Sequence, residues 1–174
     1  DDMQNMAMAY AVSKEKKREA ITEMITELCV SGVNAIVKSE ERLQQIRSLF
    51  DLDGITVFSD RGNRLVCRNG NYMAEAPDGR PGFEDEGYLS LFGDDGIFVE
   101  SNMIKLRSQN PAAYAVTQEQ EVGAALQCLS RKEGIPYTMV SFEVFNRNRK
   151  WSDKDVTLLT LLGHCIGDLL NYSE

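Results

Sequence analysis

The segment from Tyr137 to Arg147, YTMVSFEVFNR, restricts the fold of this chain more than any other stretch. In an extended strand successive side chains point to opposite faces, and here both faces are largely apolar. One face carries Thr138, Val140, Phe142 and Val144, and the other carries Tyr137, Met139 and Phe145. A strand with two apolar faces must be covered on both sides, which predicts a central strand in a layered fold.

The second of these faces also carries Ser141 and Glu143 in its middle. A carboxylate at a covered position needs a partner, because an unpaired buried charge is costly. Two interpretations follow. Either Ser141 and Glu143 face a pocket and bind a ligand, or this face is open to water and Glu143 is only solvated. Buried charges are usually paired or functional, which favours the pocket.

Turn-forming residues divide the middle of the chain into two hairpins, a single strand and an irregular insert. The predicted strands cover residues 54–59 and 64–69 around a turn at 60–63, residues 97–101, and residues 122–130, which lead through a turn at 131–134 into the central strand. The insert at 69–96 is rich in Gly, Pro and Asp and is too long for a plain connection. Such a segment is typical of a lid or binding loop, with short helices expected over 86–92 and on both sides of Pro111.

Helical periodicity marks both ends of the chain. It predicts a long helix from Asp2 to Lys38 with a weak point at Ser31–Gly32, in which Ser13–Glu19 is a charged, solvated stretch. Ser39 is expected to cap a second helix, and Ser152 a third that runs over 153–171. One side of that third helix is polar and carries Thr157, Thr160, His164, Asp168 and Asn171. On it His164 is expected to pair with Asp168 or to lie in a dimer interface.

Charge and composition exclude several functions. The net charge is −8, which disfavours binding of this segment to nucleic acid. No apolar run is long enough to cross a membrane, and no signal peptide is recognisable. The acidic groups at 84–86 and 94–95 lack the spacing of a calcium loop and are expected to be solvated. The chain begins with Asp1 rather than Met, so we expect a fragment of a longer protein.

Four cysteines and one histidine give no metal site of the usual Cys/His kind, and no metal ligand is predicted. Cys29, Cys67, Cys128 and Cys165 are far apart in sequence and form no CxxC pair. We expect four buried, reduced thiols in a cytoplasmic protein.

Two segments resemble the GAF domain family of sensory modules. They are DLDGITVFSDRGNRLV (51–66) and ALQCLSRKEGIPYTMVSFEVFNRNRKWSDKDVTLLTLLGHCIGDLL (125–170). Within the second, FEVFNRNRKWSDKDV is most similar to GAF-like domains found beside diguanylate cyclase and other output domains of bacterial regulators. The resemblance implies an α+β fold with a central antiparallel sheet of five to six strands. It places the N- and C-terminal helices on one face, and loops and short helices over the other.

The resemblance also implies a domain division, partners and a site. Residues 1–38 would form a signalling and dimerisation helix, and residues 39–174 the sensory domain. The implied partners are an unidentified small molecule, a covalently linked output domain and a second copy bound through the terminal helices. The candidate ligand-binding residues are Glu143, Ser141, Met139, Tyr137, Gln127, Phe98, Glu100 and Tyr114. For the strand at 97–101, either Phe98 and Glu100 or the alternate set faces the ligand. Tyr72, Tyr88 and Phe92 are expected to pin the insert onto the sheet.

The expected function is therefore small-molecule sensing without catalysis in a bacterial signalling protein. The alternative is a ligand-free module for dimerisation or protein interaction. The Cys-His order of bilin-binding relatives and the NKxxF…DE signature of cyclic-nucleotide relatives are absent, which disfavours both ligand classes. Catalysis of the free methionine sulfoxide reductase type is disfavoured because residues 69–122 contain no cysteine, although the predicted strands allow Cys67 and Cys128 to approach one another. The sequence does not identify the ligand or a cofactor.

Overall fold

The computed structural model describes residues 1–32, 40–59, 62–68, 71–73 and 85–173. One antiparallel sheet has the strand order β3-β2-β1-β6-β5-β4. Its strands are β1 (Gly54–Ser59), β2 (Gly62–Arg68), β3 (Asn71–Met73), β4 (Ile97–Glu100), β5 (Val122–Lys132) and β6 (Ile135–Phe145). The helices are α1 (Asp2–Ser31), α2 (Glu40–Leu49), α3 (Glu86–Leu89), α4 (Leu106–Gln109), α5 (Pro111–Glu119) and α6 (Asp153–Ser173), and Met103–Lys105 forms a 3₁₀ turn. The predicted α+β class with an antiparallel sheet is confirmed.

Three helices, α1, α2 and α6, cover one side of the sheet, here called the helix face. The strands contribute Ile55, Val57, Ala124, Leu126, Cys128, Val140, Phe142 and Val144 to this core. Phe142 and Val144 are fully buried there, as the period of β6 predicts. Burial of a side chain of this size stabilises the fold by about 2–3 kcal/mol.

The opposite side of the sheet, here called the loop face, is covered by short elements. Its buried apolar cluster consists of Phe58, Tyr88, Phe92, Phe98, Met103, Leu106, Val122, Ala125, Leu129, Met139 and Phe145. The predicted three layers are therefore present in the described part of the chain. Tyr88 and Phe92 pin the end of the insert onto the sheet, as expected, whereas Tyr72 has no described side chain.

Helix α1 is shorter than the sequence predicted. It ends at Ser31 instead of Lys38, because Gly32 adopts a φ of 82° and takes the chain out of the helix. Residues 33–39, including the predicted cap Ser39, lie outside the described residues. Helix α1 is held to α2 by Arg42, which pairs with Glu27 and, at 3.3 Å, with Glu23.

The β5–β6 hairpin turns more tightly than predicted. Both strands extend to a two-residue turn at Glu133 and Gly134, where φ is 54° and 80°. Two positive φ values in succession are typical of the turn whose twist matches the flanking strands. The predicted turn at 131–134 is therefore two residues too long, since Arg131 and Lys132 belong to β5.

Helix α6 packs against β5 at a glycine contact. A Cβ atom at Gly167 would lie 2.3 Å from the Oγ atom of Ser130, so only glycine allows this approach. The polar side of α6 is not wholly solvated: Asn171 is buried and accepts a hydrogen bond of 2.8 Å from Thr138. His164 lies against Gly96, at the turn before β4.

The prediction of four buried thiols was wrong for Cys29, which is exposed on α1, and only partly met by Cys165, which is half-buried on α6. Cys128 is buried, whereas the side chain of Cys67 lies outside the described residues. The suggested approach of Cys67 to Cys128 was also wrong. They lie on β2 and β5, which β1 and β6 separate, so their backbones are about 14 Å apart. Over the described ranges, no helix has both the length and the apolar composition needed to cross a bilayer.

Candidate functional site

Four polar side chains are buried in a row on the loop face. Glu143 and Ser141 lie on β6, Gln127 on β5 and Thr56 on β1, and their exposed fractions are 6%, 0%, 5% and 4%. The register places Ser141 between Gln127 and Thr56 on the neighbouring strands. Thr56 donates a hydrogen bond of 3.0 Å to Oε1 of Glu143. The predicted facing of Glu143 and Ser141 is confirmed, and the carboxylate is buried at the centre of the sheet.

Tyr88 extends this row toward the insert. Its hydroxyl donates to Oε1 of Gln127, whose amide nitrogen in turn donates to Oγ of Ser141 at 3.2 Å. The same hydroxyl lies 3.6 Å from the sulfur of Met139. Burial raises the pKa of Tyr88, and the nearby Glu143 raises it further against the opposing effect of the Gln127 hydrogen bond. The phenol therefore stays protonated and acts as a donor.

Asp85 fixes the short helix that carries Tyr88. One carboxylate oxygen caps α3 by accepting from the Tyr88 backbone at 3.1 Å, and the other accepts from the Asn110 side chain at 3.2 Å. Asn110 itself caps α5. The Asn110 hydrogen bond, followed by the backbone hydrogen bond from Tyr88, lowers the pKa of Asp85. The expectation that the acidic group at 84–86 is only solvated was therefore wrong for Asp85.

Aromatic packing holds Tyr88 over the sheet. The rings of Tyr88 and Phe92 are 5.6 Å apart with their planes at 73°, and Phe92 lies 5.8 Å from Phe98. Phe98 is opposite Gln127 in the β4–β5 register. Of the two alternatives left open for β4, Phe98 and Glu100 therefore face the loop side.

The structure brings some predicted site residues together and separates others. The Tyr88 hydroxyl contacts Gln127 and Met139, Gln127 bonds to Ser141, and Glu143 is close enough to affect the pKa of Tyr88. Phe98 borders this group. Glu100 is on β4 and Glu143 is on β6, with β5 between them, so the backbones of the two residues are about 10 Å apart. The Glu100 carboxylate accepts from the Ser101 backbone at 2.8 Å and lies 3.7 Å from the Lys105 nitrogen.

Two further predicted residues lie away from this row. Tyr137 is near the β5–β6 turn, where the Lys132 nitrogen sits 5.0 Å from its ring centre. Tyr114 lines a shallow cavity of about 270 Å³ at the far end of β5, together with Gly123 and Arg147. Thr56 could not be singled out from the sequence, because its role depends on the register between β1 and β6.

A second polar cluster connects α1 with α6 and was not predicted. Asp155 lies in the first turn of α6, and its side chain is 9% exposed. It accepts hydrogen bonds from Lys17 at 2.9 Å and from Arg149 at 3.0 Å. Lys17 is therefore not part of a solvated stretch. Burial lowers the pKa of Arg149, and Asp155 and Asp51 oppose this shift. Arg149 also stacks on Trp151, with its guanidinium carbon 4.3 Å from the ring centre.

Hydrogen bonds join the Glu143 region to this cluster. The Asp53 backbone donates to the carbonyl of Glu143 at 2.9 Å. Two residues earlier, the carbonyl of Asp51 accepts from Arg149 at 2.9 Å. Arg149 then contacts Asp155, and Asp155 contacts Lys17 on α1. The end of β6, the start of α6 and the middle of α1 thus share one continuous set of contacts.

A cavity of about 280 Å³ lies between α1 and the start of α6. Its walls include Tyr10, Lys14, Arg18, Lys154 and Leu158. In the described part of the chain, no group of His, Cys, Asp or Glu residues is arranged to hold a metal ion. The polar row on the loop face is suited to hydrogen bonding, since it offers a carboxylate, an amide and two hydroxyl groups within one sheet region.

Comparison of the sequence with protein-family models and with curated proteins gives no match. Solved structures of similar fold include the phycoerythrobilin-bound GAF domain of a cyanobacterial phytochrome, at 7% identity and a TM-score of 0.65, covering 91% of this chain and 96% of that one. The photosensory core module of the Stigmatella aurantiaca phytochrome has 13% identity and a TM-score of 0.63. The matched region covers 90% of this chain but only 36% of the core module.

Free methionine-R-sulfoxide reductase from Neisseria meningitidis, solved with its substrate, has 9% identity and a TM-score of 0.58, covering 90% of this chain and 89% of that one. This chain spans about a third of the phytochrome core module but nearly all of the other two structures. At these identities the likeness concerns the backbone arrangement. The resemblance recognised from the sequence is confirmed at that level: this chain has the fold of a GAF domain.

Proposed function

We propose that this chain is a regulatory domain that senses a small molecule on its loop face within a cytoplasmic bacterial signalling protein. The observation that carries the proposal is the buried carboxylate of Glu143, next to Ser141 and Gln127 on a face covered by short elements. A buried carboxylate on a potential ligand surface accepts hydrogen bonds strongly. The ligand class is therefore a small molecule with an amine, amide or base edge that donates hydrogen bonds.

Tyr88 would serve as the movable part of the site. It is carried by the four-residue helix α3, and its hydroxyl bonds to Gln127, a group that a ligand would also use. A ligand that enters would replace this hydrogen bond or pack beside the ring. Because α3 is held to α5 through Asp85 and Asn110, movement of Tyr88 would also displace α5 on the loop face.

The ligand state would be relayed through α1 and α6 to a covalently linked output domain, of which diguanylate cyclase is one candidate. The contacts from Glu143 through Asp53 and Arg149 to Asp155 and Lys17 support this direction of relay. A ligand shifts such an arrangement only to the extent that it binds one state more tightly than the other. A homodimer through the terminal helices would let two copies respond together.

The similar GAF domain of a cyanobacterial phytochrome holds phycoerythrobilin, but we do not propose a bilin attached to the cysteines whose side chains the structure describes. Cys128 lies on the helix face, and burial raises the pKa of its thiol to about 12, so it is a poor nucleophile at neutral pH. Cys29 and Cys165 lie on helices behind the sheet, and the side chain of Cys67 is outside the described residues.

A thermal-shift screen tests the proposal, with a panel of amines, amides, nucleobases and biliverdin as the probes. A stabilising compound is expected to lose at least tenfold in affinity with Glu143→Gln, which keeps the shape and removes the charge. Glu100→Gln is the matched control, because Glu100 also faces the loop side but lies two strands away, where its carboxylate accepts a hydrogen bond from the Ser101 backbone. Equal effects of the two substitutions would refute the assignment of Glu143.

The alternative function is a ligand-free module for dimerisation. It is favoured by Tyr88, which already occupies the polar row, and by the exposed apolar residues of α1, namely Met3, Met6, Met8, Tyr10 and Val12. Light scattering distinguishes the two. If Met6→Glu with Met8→Glu abolishes dimers while no compound of the panel stabilises the protein, the alternative is supported.

A further inference from the structure

Helices α1 and α6 run side by side in the same direction. Lys17 on α1 pairs with Asp155 on α6 at 2.9 Å, which fixes their relative register. From this point Cys29 is about 18 Å further along α1 and Cys165 is about 15 Å further along α6, at 1.5 Å per residue. The two cysteines therefore come level with one another near the carboxyl end of α1.

The two side chains are neighbours across the α1–α6 interface. Cys165 packs against the helix-face core, and the Cys29 thiol is close enough to act on the Cys165 thiol electrostatically. Burial raises the pKa of Cys165, and the neighbouring Cys29 and Asp168 raise it further. Cys29 is exposed, so it is the member of the pair that a dissolved oxidant reaches first.

We propose that Cys29 and Cys165 form a redox-responsive pair, which hydrogen peroxide converts into a disulfide between α1 and α6. The Cys29 thiolate attacks the peroxide, the O–O bond breaks, and water leaves after protonation, so that Cys29 becomes a sulfenic acid. The Cys165 thiol then attacks this sulfur, the S–O bond breaks, and a second water leaves. The two sulfur atoms together lose two electrons and the peroxide is reduced to water. A small dithiol reverses the reaction.

This pair is separate from the polar row on the loop face and acts on the helices instead. A disulfide at this position would hold the last turn of α1 against α6. Because α1 ends at Ser31 and Gly32 is its C-cap, three residues beyond Cys29, the bond would lie close to the end of the helix. The inference does not depend on whether the loop face binds a ligand.

Cys128 provides an internal control. It is completely buried on β5, against the position of Gly163, and burial raises its pKa to about 12. A hydroperoxide that acts on accessible thiols is expected to leave it unchanged. Oxidation of Cys128 under the same conditions would show that the protein had unfolded.

The test is peptide mapping by mass spectrometry of the reduced full chain after treatment with one equivalent of hydrogen peroxide. We expect a peptide that joins Cys29 to Cys165, two hydrogen atoms lighter than the sum of its parts and released by dithiothreitol. Cys165→Ser is expected to trap the sulfenic acid at Cys29, where dimedone labels it. Cys128→Ser should leave the crosslink unchanged.

Three outcomes would overturn the inference. One is oxidation of Cys29 to the sulfinic acid in the wild-type chain without any crosslink. Another is a crosslink of Cys29 to Cys67 or to Cys29 of a second copy, the latter visible as a dimer on a non-reducing gel. The third is a total yield of crosslinked peptide that is as high in Cys165→Ser as in the wild-type chain. Because serine is close in size to cysteine, the circular dichroism spectrum of each variant shows whether the fold is retained.

Discussion

Replacement of Asp155 by asparagine tests the cluster that joins α1 to α6. The substitution keeps the size of the side chain and its ability to accept hydrogen bonds, but removes the negative charge. Lys17 and Arg149, which contact its two oxygens at 2.9 and 3.0 Å, then lose the carboxylate that lies between them. The perturbation is therefore electrostatic and is centred on two partly buried cations.

The magnitude follows from the burial of the three groups. The side chains of Asp155, Arg149 and Lys17 are 9%, 12% and 22% exposed. Removal of one partner from a buried ion pair costs about 3–5 kcal/mol, and the partial exposure of Lys17 places this case at about 3 kcal/mol. For a domain of this size such a loss corresponds to a decrease of about 6–12 °C in Tm.

Urea denaturation followed by circular dichroism measures the loss. Asp153→Asn is the matched control, because Asp153 lies in the same first turn of α6 but is exposed. It should lose no more than about 1 kcal/mol, the usual contribution of an acidic residue at a helix start. In a Lys17→Met background the Asp155→Asn loss should be smaller. Equal losses at Asp153 and Asp155, or strict additivity with Lys17→Met, would refute the reasoning.

Three further predictions concern single side chains. Tyr88→Phe removes the donor to the buried Gln127 oxygen and should cost about 1–3 kcal/mol in urea denaturation, since that oxygen loses its partner; an unchanged midpoint would contradict the hydrogen bond. Gly167→Ala should destabilise the protein, although alanine favours helices by about 1 kcal/mol, because the new methyl group meets Ser130; Ser130→Gly should restore the Tm of the double variant. The lowered pKa of Asp85 makes its ionised form stabilising, so the Tm advantage of the wild type over Asp85→Asn should be complete at pH 7, shrink as the pH falls below its ordinary value near 3.8, and vanish below the depressed pKa. A constant advantage across that range would exclude the ionic contribution.

The facing of the central strand could be predicted because it depends only on the alternation within β6. Once Phe142 and Val144 are assigned to the helix face, Ser141 and Glu143 must lie on the other. The same alternation on β5 allowed Gln127 to join them but left its side chain open, and the β5–β6 register decides it. The predictions for β6 need no knowledge of distant contacts, which is why they succeeded.

The predictions that failed depend on partners far away in the sequence. Lys17 and Asp155 are separated by 138 positions, and each looks like an ordinary solvated charge in its own segment. Glu143 meets Thr56 across 87 positions, in a register that no local pattern specifies. The strand β3 has three residues, too few for a period to be recognised.

The first part of α1 has a consequence for how this protein would assemble. Lys17 makes the first ion pair with α6 and Ala20 is the first buried side chain, so the preceding residues 2–16, roughly 22 Å of helix, are largely exposed, and Met3 is 79% exposed. Helical segments of this length are only marginally stable in water when they are alone. Its helix content should therefore rise with protein concentration if two copies pair along it. Far-ultraviolet ellipticity at 222 nm, followed on dilution, would then report association as a coil-to-helix transition.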